Sequence, residues 1–550
     1  VKLGRFDNQL VQANDAGETD MQSWLTFELD GETCRVEKEA AHSTLASYLS
    51  RLDPAFERFG RHDPWEGASL VILGDVEDDS HRFRAVDAGL LLLPMVAGRQ
   101  VWTPEGILGA EPEHPVNLAL AEGHFECGPE RLGTLRVLMF EGYYRPDLRR
   151  QGQTNDQFDA VVTRTANVPA IRETAAQVFA STEQLRHEAA QRAEGSGAER
   201  GVWSGKRDIF GDTFTKRLFQ MREPGALSYV DEQKRRFHRP ESLVDLLRLM
   251  REYPGARLVA GGTLVVEESN RAEWSNVISV EAVKEMNLLL TTEEAWEIGG
   301  AVPFTRIAEA IGRECPPFNK LMRRFASRPV RNRVTFGGHL ATAPGDGQLA
   351  PLLMALNARV ILLSDEGERD APISQYYREN GGTILAPGEV IRSVVVPRLN
   401  DSALAARGLT SLLADVYTVG VRRNRCKRYF TAAFALELRG HTVAKARLAY
   451  AGTGPAPIRA REAEDFLTGK HWSEKNLFAS LPILNESVAL GAGWEGSDEA
   501  ESEYRRQLVV TLFQKFAAQH PRPENVRPLE LTAAGEFAKL DLPYFDALDT

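Results

Sequence analysis

The chain has 550 residues, 43% of them hydrophobic and 26% charged, the balance of an ordinary globular protein. That length exceeds one hydrophobic core, so about three or four domains are expected, and a net charge of −11 argues against a general nucleic-acid binder or a protein drawn to anionic membranes. The longest apolar run, Leu90 to Val96, is far too short to span a bilayer, Val1 to Asp20 lacks a secretory pattern, and Cys34, Cys127, Cys315 and Cys426 form neither a disulfide framework nor a zinc spacing; a cytoplasmic protein is expected.

Ser23 to Arg35 alternates apolar and polar residues around Asp30-Gly31, which predicts a β-hairpin. Thr44 to Leu52 reads as a short helix and Ser69 to Leu73 as a buried strand. Residues 114–180 are mostly helical in pattern, closing on Val168-Pro169-Ala170-Ile171. From Ser181 to Arg200 the chain turns rich in Ala, Glu, Gln, Arg and Gly, with Gly195-Ser196-Gly197 at its centre, and reads as a linker. Strand and helix signals then alternate through Arg398, and a second αβ block runs to about residue 470. Tyr504 to Ala518 places Leu508, Val509, Leu512, Phe513 and Phe516 at helical spacing, the mark of a core-facing amphipathic helix.

Two loops carry the chemistry. Leu258-Val259-Ala260-Gly261-Gly262-Thr263-Leu264 comes first; Phe325 to Leu340, with Thr335-Phe336-Gly337-Gly338-His339 at its end, comes second. Paired glycines after apolar runs let backbone approach a ligand closely, as phosphate-cradling loops require. Either loop alone is weak, since short glycine motifs recur by chance. In their order and context they resemble the two flavin-binding loops of the xanthine dehydrogenase and carbon monoxide dehydrogenase flavoprotein family. The resemblance extends over nearly the whole chain after residue 22, through His114-Pro115-Val116-Asn117, Arg236 to Leu243, Pro387-Gly388-Glu389-Val390-Ile391 and Ala446 to Gly452.

The resemblance implies an α+β multidomain chain: an N-terminal extension at 1–22, a ferredoxin-like β-grasp at 23–105, a helical-bundle domain at 106–180 and a linker at 181–231. A two-lobed FAD-binding domain of the PCMH type follows at 232–400, then a C-terminal αβ subdomain of the CO dehydrogenase flavoprotein type at 405–520 and a tail at 521–550. It implies FAD as cofactor, with contacts at Leu258, Val259, Ala260, Gly261, Gly262, Thr263, Leu264, Phe325, Thr335, Gly337, Gly338, His339, Asp346, Gln348 and Ile391. It also implies a partner, a xanthine-dehydrogenase-like large subunit of the molybdopterin type, in a heterotetramer.

The sequence departs from the family where cofactors would be held. Two 2Fe–2S clusters need four thiolates each, yet the ligand positions fall at Arg61, Glu66, Ser69 and Gly89, and at Cys127, Glu130, Thr163 and Thr165. Hydroxyls and carboxylates do not replace soft thiolates, so no cluster and no other metal site is expected, and Cys127 reads as a small buried hydrophobe. Around the flavin, Leu264 replaces a polar residue, His339 an Asn and Gln348 an Asp, with Asp346 two positions away as a candidate substitute. Cys426-Lys427 and Thr418 replace an Asp-Ile pair and a lysine. The lost polar contacts, at about 1–3 kcal/mol each, bear directly on cofactor affinity.

Two arginine-rich runs, Arg323 to Arg333 and Arg422 to Arg428, flank the flavin pocket by resemblance. They read either as an anion site or, preferably, as a solvated face or subunit interface. His339 is able to serve as an acid or base near neutrality, though packing is the commoner role for a lone histidine. Asp346, in Pro344-Gly345-Asp346-Gly347, is also an ordinary turn residue. No nucleophile elbow, Walker loop or zinc-protease motif is present, and no catalytic residue is assigned. The expected function is an FAD-type subunit of a xanthine-dehydrogenase-like oxidoreductase complex without its iron–sulfur relay; the alternative is a cofactor-free scaffold stabilising the large subunit.

Overall fold

The structure, a computed structural model, describes residues 21–52, 69–77, 79–123, 125, 128–145, 148, 151–161, 168–194, 208–264, 268, 273–420, 430–488 and 499–520. Arg61, Glu66, Cys127, Thr163, Thr165 and the run Arg422 to Arg428 lie outside these residues, as does the Glu130 side chain.

Strands β1 (Trp24–Leu29) and β2 (Glu32–Glu37) form the expected hairpin, in register from Trp24 opposite Glu37 to Leu29 opposite Glu32. Asp30 and Gly31 turn it with φ of 52° and 86°, both in the left-handed region that Asp and Gly tolerate best. Strands β3 (Leu70–Glu77), β4 (Ser80–Asp87) and β5 (Gln100–Trp102) complete a sheet of order β2-β1-β5-β3-β4, with β1 and β5 parallel. Helix α1 (Leu45–Leu52) buries Leu45, Ala46 and Leu49 against it. The apolar run from Leu90 to Val96 is wholly buried and leads into β5.

Helices α2 (Pro104–Ala110), α3 (Pro115–Glu122), α4 (Pro129–Tyr144), α5 (Gln151–Gln157) and α6 (Val168–Glu194) form the helical layer. The stretch expected to begin a linker at Ser181 is therefore helix as far as Glu194. Its Ala, Glu, Gln and Arg are strong helix formers, and the composition that resembles a linker equally specifies a helix. Farther on, α7 (Thr213–Leu218) is capped by the Asp212 side chain, and β6 (Leu227–Val230) already belongs to the next sheet.

That sheet has the order β6-β7-β9-β8, with β7 (Arg236–Arg239), β8 (Arg257–Val259) and β9 (Asn276–Ser279) parallel to one another and α8 (Leu243–Glu252) packed on it. A second, antiparallel sheet of order β10-β11-β14-β12-β13 joins β10 (Leu289–Thr291), β11 (Ala295–Gly299), β12 (Arg359–Ser364), β13 (Gly367–Pro372) and β14 (Val390–Pro397). Between β11 and β12 run α9 (Phe304–Ile311), α10 (Pro316–Met322), α11 (Arg328–Arg331), α12 (Phe336–Ala341) and α13 (Leu349–Ala355). The C-terminal part is a meander of β15 (Ser411–Val419), β16 (Phe430–Arg439), β17 (Thr442–Ala451) and β18 (Ile458–Arg459). The helix at Glu499–Gln519 packs on this meander and buries Val509, Leu512, Phe513 and Phe516, the face its spacing predicts.

One apolar core runs through all four sheets. Leu90, Leu92 and Met95 of the first domain join Val259, Phe336 and Leu353 of the second, and Ala433 of the meander, in a single cluster. Polar stitches reinforce the seam: Gln22 pairs with Tyr229, whose hydroxyl donates to Glu39 O at 2.5 Å, and Ala41 N donates to Asp231. The first domain is thus fixed against the loop that follows β8.

Candidate functional site

The first glycine loop leaves the carboxyl end of β8, the edge at which open α/β sheets bind ligands. Val259 anchors it in the core while Leu264 stands 42% exposed. Gly262 has φ of +83°, and a Cβ there would meet Leu90 O at 2.6 Å; a Cβ on Gly261 would fall 1.6 Å from Arg333 O. Both glycines are therefore required by protein backbone alone, the one by the first domain and the other by the second loop. Among the described residues, the N–H groups of Gly261, Gly262 and Thr263 donate to no acceptor. Arg333 donates from Nε to Gly261 O at 3.2 Å, setting a guanidinium beside them.

The second loop is the opposite case. Thr335 caps α12, accepting from Gly338 N at 3.2 Å; Phe336 N donates to Val302 O, Gly337 N to Gly300 O and His339 N to Thr335 O. Each of these four donors has a partner inside the protein. Gly337 lies against the Gly300 backbone, where a Cβ would sit 2.8–3.2 Å from three of its atoms. Gly300 in turn abuts the carbonyl of Ile391, a buried residue of β14. The need for glycine at 337 thus follows from sheet-to-helix packing.

His339 sits edge-on to Phe304 and Phe325, with ring centroids 5.7 and 5.2 Å away, and burial pushes it down to about 4, so it is neutral at pH 7. Phe325 is itself 9% exposed and packs on Phe304. Asp346 is half-buried in the turn closed by Gly347 N to Pro344 O, and the Gly345 carbonyl accepts from Gly452 N of the C-terminal part. Gln348 is 3% exposed and its Nε2 has no hydrogen-bond partner; Thr453 Oγ1 is likewise buried and unpartnered. Of the iron–sulfur positions, Ser69 and Gly89 lie together, linked through Ala88 N to Ser69 O at 2.9 Å, and Gly89 N donates to Asp87.

The inner members of the first arginine run do not form a solvated face. Arg328, Arg331 and Arg333 are 2–8% exposed and pair with carboxylates of two domains. Arg328 bonds Glu141 of α4 at 3.1 Å and Glu309 of α9 at 2.8 Å, and Arg84 of β4 bonds the same Glu309. Arg331 reaches Asp156. Arg333, with Arg99, contacts Glu281 at 3.3 Å. Arg84 and Arg328 hold the Glu309 carboxyl well below its ordinary range, although burial opposes this. Charge runs are usually solvated; these are buried because their partners come from positions up to 187 residues away in sequence (Glu141 to Arg328), a pairing with no local signature. Glu141, Glu281 and Glu309 escaped the sequence reading for the same reason.

A cavity of about 230 Å³ opens where the domains meet, with Ala260, Gly261, Arg333 and Thr335 on one wall and Asp75, Arg99 and Glu281 on another. This is below the ~300–1,000 Å³ of drug-sized ligand sites, room for a small polar group rather than for a whole dinucleotide. The first loop fits a phosphate group by its unpartnered N–H groups; the second supplies shape alone. Among the described residues no group of three or more His, Cys, Asp or Glu is placed to hold a metal ion, and no helix is long and apolar enough to cross a membrane.

Residues 232–399 match the FAD binding domain in molybdopterin dehydrogenase, and residues 415–520 the CO dehydrogenase flavoprotein C-terminal domain. Over these two stretches the chain carries the FAD-binding and flavoprotein C-terminal domains of the xanthine dehydrogenase and molybdenum hydroxylase family. It is 23% identical over 537 residues to xanthine dehydrogenase of Emericella nidulans, covering 90% of this chain and 38% of that protein. Xanthine dehydrogenase 1 of Arabidopsis thaliana is 26% identical over 310 residues, 51% of this chain and 21% of that protein. The chain thus spans about two fifths or less of these relatives. Among solved structures, quinoline 2-oxidoreductase of Pseudomonas putida 86 covers 52% of this chain and 96% of its own at 22% identity, with a TM-score of 0.44. Carbon monoxide dehydrogenase of Hydrogenophaga pseudoflava covers 51% and 94% at 20% identity, with a TM-score of 0.45.

Three histidines give the chain an acid limit. His114, His238 and His339 are each pushed from the usual 6.5 down to about 4 by burial. The unfolded chain therefore binds more protons than the folded one between those values, so stability is full above pH 6.5 and falls as pH drops toward 4. Urea midpoints taken from pH 7.5 to 4.5 are expected to decline across that window, and His339→Asn to reduce the slope by about one third. A flat profile contradicts the burial of these rings.

Proposed function

We propose that this chain is the flavin-type portion of a xanthine-dehydrogenase-like oxidoreductase, binding FAD on the first glycine loop and holding no iron–sulfur cluster. The observation that carries the reading is the set of N–H groups at Gly261, Gly262 and Thr263, which have no acceptor among the described residues, in a loop whose own backbone is fixed from both sides. They suit a pyrophosphate, and Arg333 adds a fixed positive charge beside them. Bound FAD supplies an electron acceptor. The chain's own part is to orient it: the N–H groups of Gly261, Gly262 and Thr263 would receive the phosphates, while Phe325 and Phe304 hold an apolar wall with neutral His339 between them.

The cluster-free state is supported by the sequence, which has four cysteines where two clusters require eight. A molybdopterin-type large subunit, in a heterotetramer, is the partner this reading gives the chain. With no relay, electrons do not reach the flavin from a partner's metal through this chain, and the flavin serves a substrate or carrier directly. A second reading, a cofactor-free scaffold for that partner, is favoured by the second loop, whose N–H groups at Phe336, Gly337, Gly338 and His339 are used within the protein. The absorption spectrum and iron content of the purified chain separate them. Flavin bands without stoichiometric iron are expected; a colourless chain leaves the scaffold, and stoichiometric iron overturns the cluster-free state.

A further inference from the structure

The cavity beside the first loop contains a carboxylate that no flavin-loop motif assigns. Glu281 follows β9, and its side chain is 8% exposed. One oxygen, Oε2, is shared by Arg99 and Arg333, each at 3.3 Å. The other, Oε1, accepts no hydrogen bond; Arg239 Nη1 stands 3.9 Å away. Burying a charged acceptor without a donor is costly, so a ligand donor is favoured there. Arg333 ties this carboxylate to the glycine loop, since the guanidinium that contacts Glu281 also donates to Gly261 O at 3.2 Å.

A carboxylate one guanidinium away from unpartnered loop N–H groups is the donor set for a phosphorylated sugar. Anionic oxygens take the N–H groups, and hydroxyls donate to the carboxylate, as an acidic side chain does for a ribose diol in dinucleotide sites. We propose that Glu281 binds the hydroxyls of a sugar phosphate whose phosphate rests on Gly261 to Thr263. The inference rests on the flavin reading above and deepens it, for the sugar is either the adenosine ribose or the ribityl chain of FAD. Arg99 and Arg333 neutralise the carboxylate, so an anionic ligand is admitted beside it.

The test is equilibrium binding to the full chain of FAD, ADP, 2′,3′-dideoxy-ADP and FMN, with wild type and Glu281→Gln. A hydroxyl bonded to a charged acceptor is worth about 1.5–3 kcal/mol, or roughly tenfold or more in affinity. If the ribose is the sugar, ADP binds wild type at least about tenfold more tightly than its dideoxy analogue, and Glu281→Gln brings the two within about threefold. If the ribityl chain is the sugar, the two adenine nucleotides bind alike and Glu281→Gln weakens FMN instead. FAD binding with neither effect overturns the role of Glu281 and leaves the flavin reading standing, whereas a chain that binds none of the four overturns the flavin reading itself. The wild-type comparison of ADP with its analogue needs no variant, so it decides the ribose case even if Glu281→Gln fails to fold.

Discussion

Gly261→Ala is expected to destabilise the chain by more than about 3 kcal/mol with no flavin present. The added Cβ would sit 1.6 Å from the Arg333 carbonyl oxygen and 2.6 Å from its carbon, inside any van der Waals contact. Relief would require moving the second loop, whose Val334 and Phe336 are packed into the central core. Gly337→Ala is expected to cost less, because its contacts with Gly300 begin at 2.8 Å. Urea unfolding of the flavin-free chain checks both. An unchanged midpoint for Gly261→Ala, with FAD binding lost, would mean that the glycine serves the cofactor alone.

The second large effect lies at the seam of three domains. Glu141 is fully buried and accepts from Arg328 Nε at 3.1 Å, Asn332 Nδ2 at 3.0 Å and Gln157 Nε2 at 2.7 Å. Glu141→Ala leaves all three donors facing a void. Breaking one side of a buried pair typically costs about 3–5 kcal/mol, since the remaining charge is uncompensated. Glu309 stays bonded to Arg328 and softens this, so the lower end is expected. Pairing Glu141→Leu with Arg328→Met removes the stranded charge along with its partner and is expected to recover much of the loss. Thermal unfolding of the two variants checks the point; equal losses would show that packing, rather than charge, holds the seam.

Much of the architecture is legible in local pattern. The Asp30-Gly31 hairpin and the helix around Leu512 and Phe516 follow from periodicity and turn chemistry, which act within a few residues. The helix reaching Glu194 was hidden by composition, because residues that make a soluble linker also make a helix. At the site, the glycine loops announce a close backbone approach but not what approaches. In Gly337 it is the Gly300 backbone, and in Gly262 the Leu90 carbonyl, partners set by tertiary packing. The arginine run was the least legible part. Whether Arg328 faces water or Glu141 depends on a residue 187 positions away.

The glycines alone therefore do not argue for a cofactor; the unpartnered donors of the first loop do. Calorimetric titration of FAD into the full chain, freed of any bound flavin, tests this most directly. Saturable uptake of one FAD per chain is expected. Absence of binding heat, with all added FAD recovered by filtration, would contradict it.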